Sequence, residues 1–414
     1  MGLYRVELKR QLKTRSVRLL LLFSLLITFV LAYCPISFVE YAYEENGQET
    51  LVKGMDAISM RKEAWKAYSG EVTEEKIAAA LAQYQESYAQ YGEDGMWFDM
   101  PDSEYCEKIA PISSLVYRLR EVNADSKTGA APSYQELTEE DALRFYDRCV
   151  QRLDDVLRME QSAHPAAVRQ AKALYSAVEM PFTYYPGFNI DALDYQVMLT
   201  FVLTIVGALI AAPIFSSDYQ TGSDNILRCA KYGRTPLALA KIKATLTITS
   251  LMYLICMSIY LLVEGFAFGW DTLKTSVQLI WSASSLLPIT IGQLMLLGAA
   301  VGLLAFLATV LCILFLSAVC KSVYASSSLS LLLCMLPILT YSLLPERIDL
   351  WVRSFLPDGG IGLANSFLYE ALFLNFLHLG DLSLWYPFAL LLGSVLEIPL
   401  WLWASVHAYK RRHL

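Results

Sequence analysis

Long uninterrupted runs of apolar residues alternate with polar stretches along this chain of 414 residues. A membrane-spanning helix needs about 20 mainly apolar residues, because each residue advances about 1.5 Å through about 30 Å of hydrocarbon. The pattern therefore predicts an all-α polytopic membrane protein with six transmembrane helices. A large, mostly helical extracytoplasmic domain is predicted between the first and second of them. The predicted spans are 19–39, 195–215, 244–263, 286–317, 323–344 and 384–406.

The run 286–317 is too long for one perpendicular helix and too short for a helical hairpin. Counted once, it leaves the basic segments 1–18 and 407–414 on the same side of the membrane. Counted as two spans, it would place the two basic segments on opposite sides of the membrane. That contradicts the rule that Lys and Arg concentrate on the cytoplasmic side. We therefore predict one long or tilted helix, and a multi-pass protein of the cell membrane with both termini in the cytoplasm.

One further apolar stretch, 361–379, falls in the predicted outer loop 346–383. Its apolar positions are interrupted by Asn365, Glu370 and Asn375, which are costly in lipid but tolerable beside water or protein. A seventh span would also place the two basic termini on opposite sides. We therefore predict a re-entrant or interfacial segment here.

Segment 40–194, between the first two spans, carries apolar residues at helical spacing, as at Ile77 and Leu81. Helix start signals agree, such as Thr138 with Asp141 three residues later. The segment is therefore predicted to form a small helical domain outside the cytoplasm. Its clusters of acidic residues fit a solvated surface or, alternatively, a basic partner or peptide.

The sequence contains few signatures of chemistry. No phosphate-binding G-x-x-x-x-G-K-[ST] loop is present, and the four His residues form no catalytic or metal-binding motif. We therefore predict that the chain is not an enzyme, holds no metal and no cofactor of its own, and does not bind nucleic acid.

Three individual residues stand out from the spans and the outer segment. Glu397 is the one carboxylate well inside a span, and we interpret it as a buried polar contact with another helix. Cys106 and Cys149 both fall in the outer segment, so a disulfide between them is a candidate. The sequence alone does not show whether these two residues meet.

The most informative segment is the cytoplasmic loop between the second and third spans. Asp218 is followed four positions later by Gly222, then by a short helix reaching Leu227, a basic turn at Arg234, and Lys241 where the next span opens. In these features the chain resembles the permeases of ABC-2 type transporters, in particular bacterial ABC exporters. The order of basic N-terminus, one span, large outer domain and five further spans is similar to that family in outline.

The resemblance implies a membrane subunit that pairs with a separate cytoplasmic ABC ATPase, which binds the ATP, and with a second copy of itself or a related permease. Residues 217–230 would form a coupling helix within a coupling loop, 216–243. Its basic residues would contact either the ATPase or the phosphates of membrane lipid. The residues expected to couple to the ATPase are Asp218, Gly222, Leu227, Arg228, Gly233, Arg234 and Lys241.

Two other function classes stay open on the sequence. A non-transporting membrane sensor or assembly protein would bind a ligand in the outer domain and relay that state through the spans. A secondary transporter would use Glu397 and an ion gradient in place of an ATPase. Nucleotide turnover by a partner separates the first alternative from a permease, and the variant Glu397→Gln tests the second.

Overall fold

The computed structural model describes residues 2–91, 100–229 and 233–411. Within them, six helices are long and apolar enough to cross a membrane, which confirms the predicted all-α architecture with six spans. In chain order, these spans are α2 (Arg15–Ser37), α10 with α11 (Asp191–Ala211 and Pro213–Thr221), α13 (Thr235–Phe268), α15 (Ile291–Val319), α16 (Val323–Leu343) and α19 (Tyr386–Arg411).

Helices α10 and α15 occupy the centre of the bundle. Their most apolar stretches are 72% and 61% buried, against 22% for α16. Gly302 lets α15 approach α13, because a Cβ atom there would lie 2.5 Å from the Tyr253 hydroxyl. That hydroxyl donates a hydrogen bond to the carbonyl of Ala299, 3.1 Å away. The small residues of α15 therefore serve close helix packing.

Two shorter helices lie at one end of the bundle, which we call the basic end. The side chain of Gln11 reaches the carbonyl of Lys241 there, and the Tyr409 hydroxyl near the end of the chain reaches the carbonyl of Gly233. The N-terminal segment, the C-terminal segment and the start of the third span therefore meet in one place. The two helices are α1 (Leu3–Lys13) and α12 (Ser223–Cys229).

The opposite end carries the helical domain, so we call it the domain end. Thr138 and Asp141 form the predicted capping box, in which each side chain bonds the other residue's backbone N–H. The domain also contains short antiparallel strand pairs, which the sequence did not indicate. The elements are α3 (Met55–Ala64), α4 (Glu74–Tyr91), α5 (Asp102–Glu104), α6 (Ser113–Val122), α7 (Glu139–Leu143), α8 (Phe145–Gln161), α9 (Pro165–Tyr175), β1 (Glu40–Glu45) with β2 (Gln48–Lys53), and β3 (Gly70–Glu71) with β4 (Thr183–Tyr184).

The connection between α13 and α15, residues 269–290, is built into this domain. It contains the short helix α14 (Val277–Ile280). Arg118 donates a hydrogen bond to the carbonyl of Trp281, and the Tyr175 hydroxyl donates to the carbonyl of Ala283, 2.9 Å away. Ala283 is also buried in the apolar core of the domain. The domain is therefore completed by residues far from it in sequence.

Residues 344–385, between α16 and α19, fold against the domain end of the bundle around a buried arginine. The Arg353 guanidinium bonds the carboxylates of Asp349 and Glu370 at 2.8 and 2.7 Å. Its third partner is the carbonyl of Asn365, 2.8 Å away. The re-entrant placement of 361–379 stays a prediction. The elements here are α17 (Glu346–Arg353), α18 (Phe367–Glu370) and the hairpin β5 (Phe376–Leu379) with β6 (Leu382–Trp385).

Cys106 and Cys149 are both free thiols in this structure. Cys149 is buried in the main core of the domain, whereas Cys106 packs on a different apolar cluster near β1. The candidate disulfide is therefore not formed, because the two residues belong to separate parts of the domain.

Candidate coupling site

The predicted coupling segment begins where the second span is interrupted. Pro213 opens α11 and leaves Ala212 between the two helices of this span. The first backbone N–H groups of a helix have no partner within it. Those of Phe215 and Ser216 donate to the Ser317 hydroxyl at 3.0 and 3.2 Å. Ser317 in turn donates to the carbonyl of Ala212, so α11 is fastened to α15.

A buried ion pair lies at the centre of the site. Lys241 is completely buried, and its ammonium group contacts the carboxylate of Asp218 and the carbonyl of Ile214, 3.1 Å away. The ring of Phe215 lies 5.6 Å from the same ammonium group. A buried charge is costly unless it is paired and hydrogen-bonded, and here it is both. Asp218 and Lys241 thereby join the end of the second span to the start of the third.

The N-terminal helix α1 completes the ionic network. Arg10 lies 3.6 Å from the second carboxylate oxygen of Asp218, and Glu7 pairs with Arg10 at 2.8 Å. Gln11 donates to the carbonyl of Lys241 and accepts from the Thr245 hydroxyl at 3.2 Å. Sequence reasoning missed Glu7, Arg10 and Gln11 as site residues. Their positions three and four apart, which share one helix face, are the signal that indicates them.

Gly222 makes the corner between α11 and α12. Its φ of 70° lies in the left-handed region that glycine adopts without strain. The helix that follows carries Leu227, which is half-buried, and Ile226, whose side chain is 78% exposed. The corner therefore presents an apolar side chain to the solvent beyond the basic end.

The second half of the predicted coupling loop is already helical. Helix α13 begins at Thr235, well before residue 244, with Pro236 in its first turn. Arg234 is exposed at the position preceding the helix, and the buried carbonyl of Gly233 accepts a hydrogen bond from the Tyr409 hydroxyl at 3.3 Å. Arg228 lies within α12, but its side chain is outside the described part of the structure, as is the whole of Lys231.

One more contact fastens the corner to the fifth span. The side-chain carbonyl of Gln220 accepts a hydrogen bond from the backbone N–H of Val323, 3.0 Å away, where α16 begins. Together with Ser317 on α15 and Tyr409 on α19, this contact joins the coupling segment to three further helices. The segment is therefore tied to most of the bundle at its base.

Glu397 lies apart from this site, on α19 at the border of an apolar groove of about 630 Å³. Its side chain is buried, and its Oε2 atom has no hydrogen-bond partner among the residues that the structure describes. We predicted a polar contact between Glu397 and another helix. No hydrogen bond to Oε2 within the described residues identifies that helix, so the contact stays a prediction.

Comparison with known proteins gives one family. A sequence model described as ABC-2 family transporter protein matches residues 1–357 of the chain. The matched range includes α1 and every residue of the coupling site except Tyr409, and it ends before α19. No curated protein matches the chain.

Proposed function

This chain belongs to the ABC-2 family of transporter proteins, and from that premise we propose that it is a permease subunit driven by a separate ABC ATPase. The ATPase binds and hydrolyses ATP. The predicted coupling helix 217–230 is divided at Gly222 into the end of α11 and the short helix α12, and α12 with this corner docks against the ATPase. The basic end faces the cytoplasm of a bacterial cell, the helical domain lies outside, and the substrate is exported. Two permease chains, identical or related, form the complex.

One observation carries this proposal: the exposed apolar side chain of Ile226, which we call the tip, follows a helix that is held by the buried ion pair of Asp218 and Lys241, which we call the base. The fold of the described residues leaves the side chain of Ile226 78% exposed. In the helix that leads to this corner, Asp218 pairs with Lys241 and so joins α11 to α13. A docking helix with an exposed tip and a rigid base is what the transmission of force from a partner requires, because only a rigid base moves the spans as a body.

The base also distributes a movement among several spans. Ser317 bonds α11 to α15, and Gln220 bonds it to the first residue of α16. The ion pair reaches α13, and Arg10 extends the network to α1. A displacement of the tip by the ATPase would thus act on three neighbouring spans at once, which supports a coupling role over a local structural one.

The charge distribution supports the proposed orientation. Arg5, Lys9 and Lys13 are exposed on α1, and Lys410 and Arg411 end α19 at the same end of the bundle. Basic residues of this kind remain on the cytoplasmic side, where they also meet anionic lipid headgroups. Export is the direction that we propose because the coupling segment resembles that of exporters.

The first test is affinity purification of the tagged chain from its native membrane, with mass spectrometry and ATPase assay of the eluate. We expect a P-loop ATPase to be recovered with the wild-type chain. The variant Ile226→Asp should lower its recovery by about tenfold or more, because a carboxylate would be buried at the docking surface. The matched control is Leu51→Asp, which places the same charge on an exposed position of β2 at the domain end.

The two possible failures differ. Recovery of no ATPase with the wild-type chain in gentle detergent contradicts the permease proposal and favours the membrane sensor. Equal recovery of the ATPase with wild type and Ile226→Asp contradicts only the docking position.

A further inference from the structure

A cavity of about 640 Å³ lies at the domain end, between the helical domain and the segment that follows α16. The end of α8, the connection between α13 and α15, and residues 346–378 contribute its walls. Cavities of this size accommodate molecules of a few hundred daltons. The cavity is far from the coupling site, so the proposed function leaves it unexplained.

One wall of the cavity is aromatic. Trp281 and Phe373 meet edge to face with their ring centres 5.6 Å apart, and Phe376 and Leu350 continue the apolar surface. Aromatic rings bury a large area on binding and also attract cations to their faces. This wall therefore suits a ligand with an aromatic or aliphatic group.

A buried hydrogen-bond acceptor lines the same cavity. Gln161 ends α8 and is only 9% exposed, yet its Oε1 atom has no partner among the described residues. Buried polar atoms are nearly always hydrogen-bonded, so an unmatched acceptor at a cavity surface indicates a missing donor. A ligand that carries N–H groups would supply that donor.

The ionisable groups of the cavity favour a cation. Glu160 and Glu346 both line it. Burial and the neighbouring Glu346 raise the pKa of Glu160, so the two carboxylates repel each other. Among the described residues that line the cavity, one guanidinium stands against them, that of Arg347. Arg152 is not part of the lining, but its charge lowers the pKa of Glu160 and offsets part of this repulsion. Burial, His164 and Arg347 lower the pKa of His378, so that its protonation is disfavoured.

We propose that this cavity binds an amphipathic cation, in which an aromatic or aliphatic group is joined to an ammonium or guanidinium group, as in a short basic aromatic peptide. The apolar group packs on Trp281 and Phe373. The cationic group lies between Glu160 and Glu346 and relieves their repulsion, while one of its N–H groups donates to Gln161. The site goes beyond the proposed coupling function and does not depend on it.

Binding can be measured without an ATPase, with the full-length chain in lipid nanodiscs. The probe is phenylalanyl-arginyl-β-naphthylamide, titrated calorimetrically, with empty nanodiscs subtracted. The matched neutral probe is the same compound with an acetylated amino group and citrulline in place of arginine. We expect saturable binding of the cationic probe and at least about tenfold weaker binding of the neutral one.

Three variants test the assigned residues. Gln161→Leu should weaken binding of the cationic probe about fivefold, because one hydrogen bond is lost. The double variant Glu160→Gln with Glu346→Gln should weaken it about tenfold, as two partly exposed charge pairs are removed. The matched control is Glu140→Gln, an exposed position of α7, which should bind like wild type.

Equal binding of the charged and neutral probes by the wild-type chain would overturn the proposal, and this comparison needs no variant to fold. Wild-type affinity in the Gln161 and double Glu variants would overturn it as well. Binding that falls in these variants but persists in Glu140→Gln supports it.

Discussion

Lys241 places an ammonium group inside the protein, where no water reaches it. Its stability there rests on Asp218 and on the carbonyl of Ile214. Removal of one partner from a buried ion pair leaves the other charge uncompensated, which costs more than the pair itself contributes. The two residues are therefore expected to behave as a unit.

The variant Asp218→Asn tests this unit, because it removes the charge and retains the shape. We expect it to destabilise the chain by about 3–5 kcal/mol, and Lys241→Met in the same chain to recover most of the loss, since no buried charge is then left unpaired. Thermal unfolding of the purified protein measures both effects. Asp381→Asn, at the exposed turn of the β5–β6 hairpin, is the control.

An Asp218→Asn variant as stable as wild type would show that Lys241 has another compensating partner. A double variant no more stable than the single one would show that Asp218 acts through Arg10 or the helix backbone instead of through Lys241.

The sequence indicated some residues of the candidate site but not others. Asp218 and Lys241 were identified because each matches a position of a known segment, but their direct contact depends on how two helices pack. Glu7 and Arg10 were interpreted only as part of a basic terminus. Their role in the site depends on α1 folding back on α13, and no local pattern encodes that contact.

At the scale of elements, the corner between α11 and α12 depends on the backbone of Gly222. Apart from the neighbours of Gly222 in the chain, no atom of the described residues lies within 4 Å of the position that a Cβ would take there. The constraint is the positive φ alone, which most residues adopt only at a cost. The shape of the side chain near the backbone should therefore matter more than its bulk.

Gly222→Val should destabilise this corner by about 1–2 kcal/mol, whereas Gly222→Asn should be close to neutral, because asparagine tolerates the left-handed conformation. We expect the valine variant to lower ATPase recovery and coupled transport while the protein still inserts in the membrane. Co-purification and transport assays measure this. Equal effects of Val and Asn would indicate that contact with the partner, and not backbone conformation, governs the position.

The elements themselves were predicted with different success for physical reasons. The spans follow from length and apolarity, which is why all six were found. Helix α13 begins at Thr235, before the apolar run that starts at residue 244. Hydropathy did not include this part because Lys241 is charged, and the neutralising contact with Asp218 comes from another helix. The paired strands of the domain are two to six residues long and are held by tertiary contacts, so no alternation was visible.

At the scale of the whole molecule, the spans differ in how much of their surface the chain itself covers. Helix α16 is the least buried, and side chains such as Leu332 are 52% exposed on it. In a membrane either lipid or another protein covers this surface. Because we propose a pair of permease chains, α16 is where we expect the second chain to pack.

Cysteine cross-linking in native membranes tests this arrangement. Leu332→Cys should yield a cross-linked dimer with a short thiol reagent, because the α16 helices of two chains would lie side by side. Leu22→Cys on α2 starts from a leucine of similar exposure, 54%, and should remain monomeric. Wild-type chain gives the background from native cysteines. Cross-linking through residue 22 and not through residue 332 would place the interface elsewhere.

Helix α13 has a consequence for how the two ends of the protein communicate. Its 34 residues form one unbroken helix of about 50 Å, of which about 40 Å lies between the ion pair at Lys241 and the end at Phe268. The connection that follows carries Trp281 into the cavity wall. One long helix thus connects the candidate coupling site with the segment that lines the cavity. If nucleotide binding by the partner shifts that helix and changes the affinity of the cavity, thermodynamic reciprocity requires that a molecule held in the cavity changes the nucleotide affinity by the same factor. Occupancy of the cavity outside the membrane would then regulate nucleotide use on the other side.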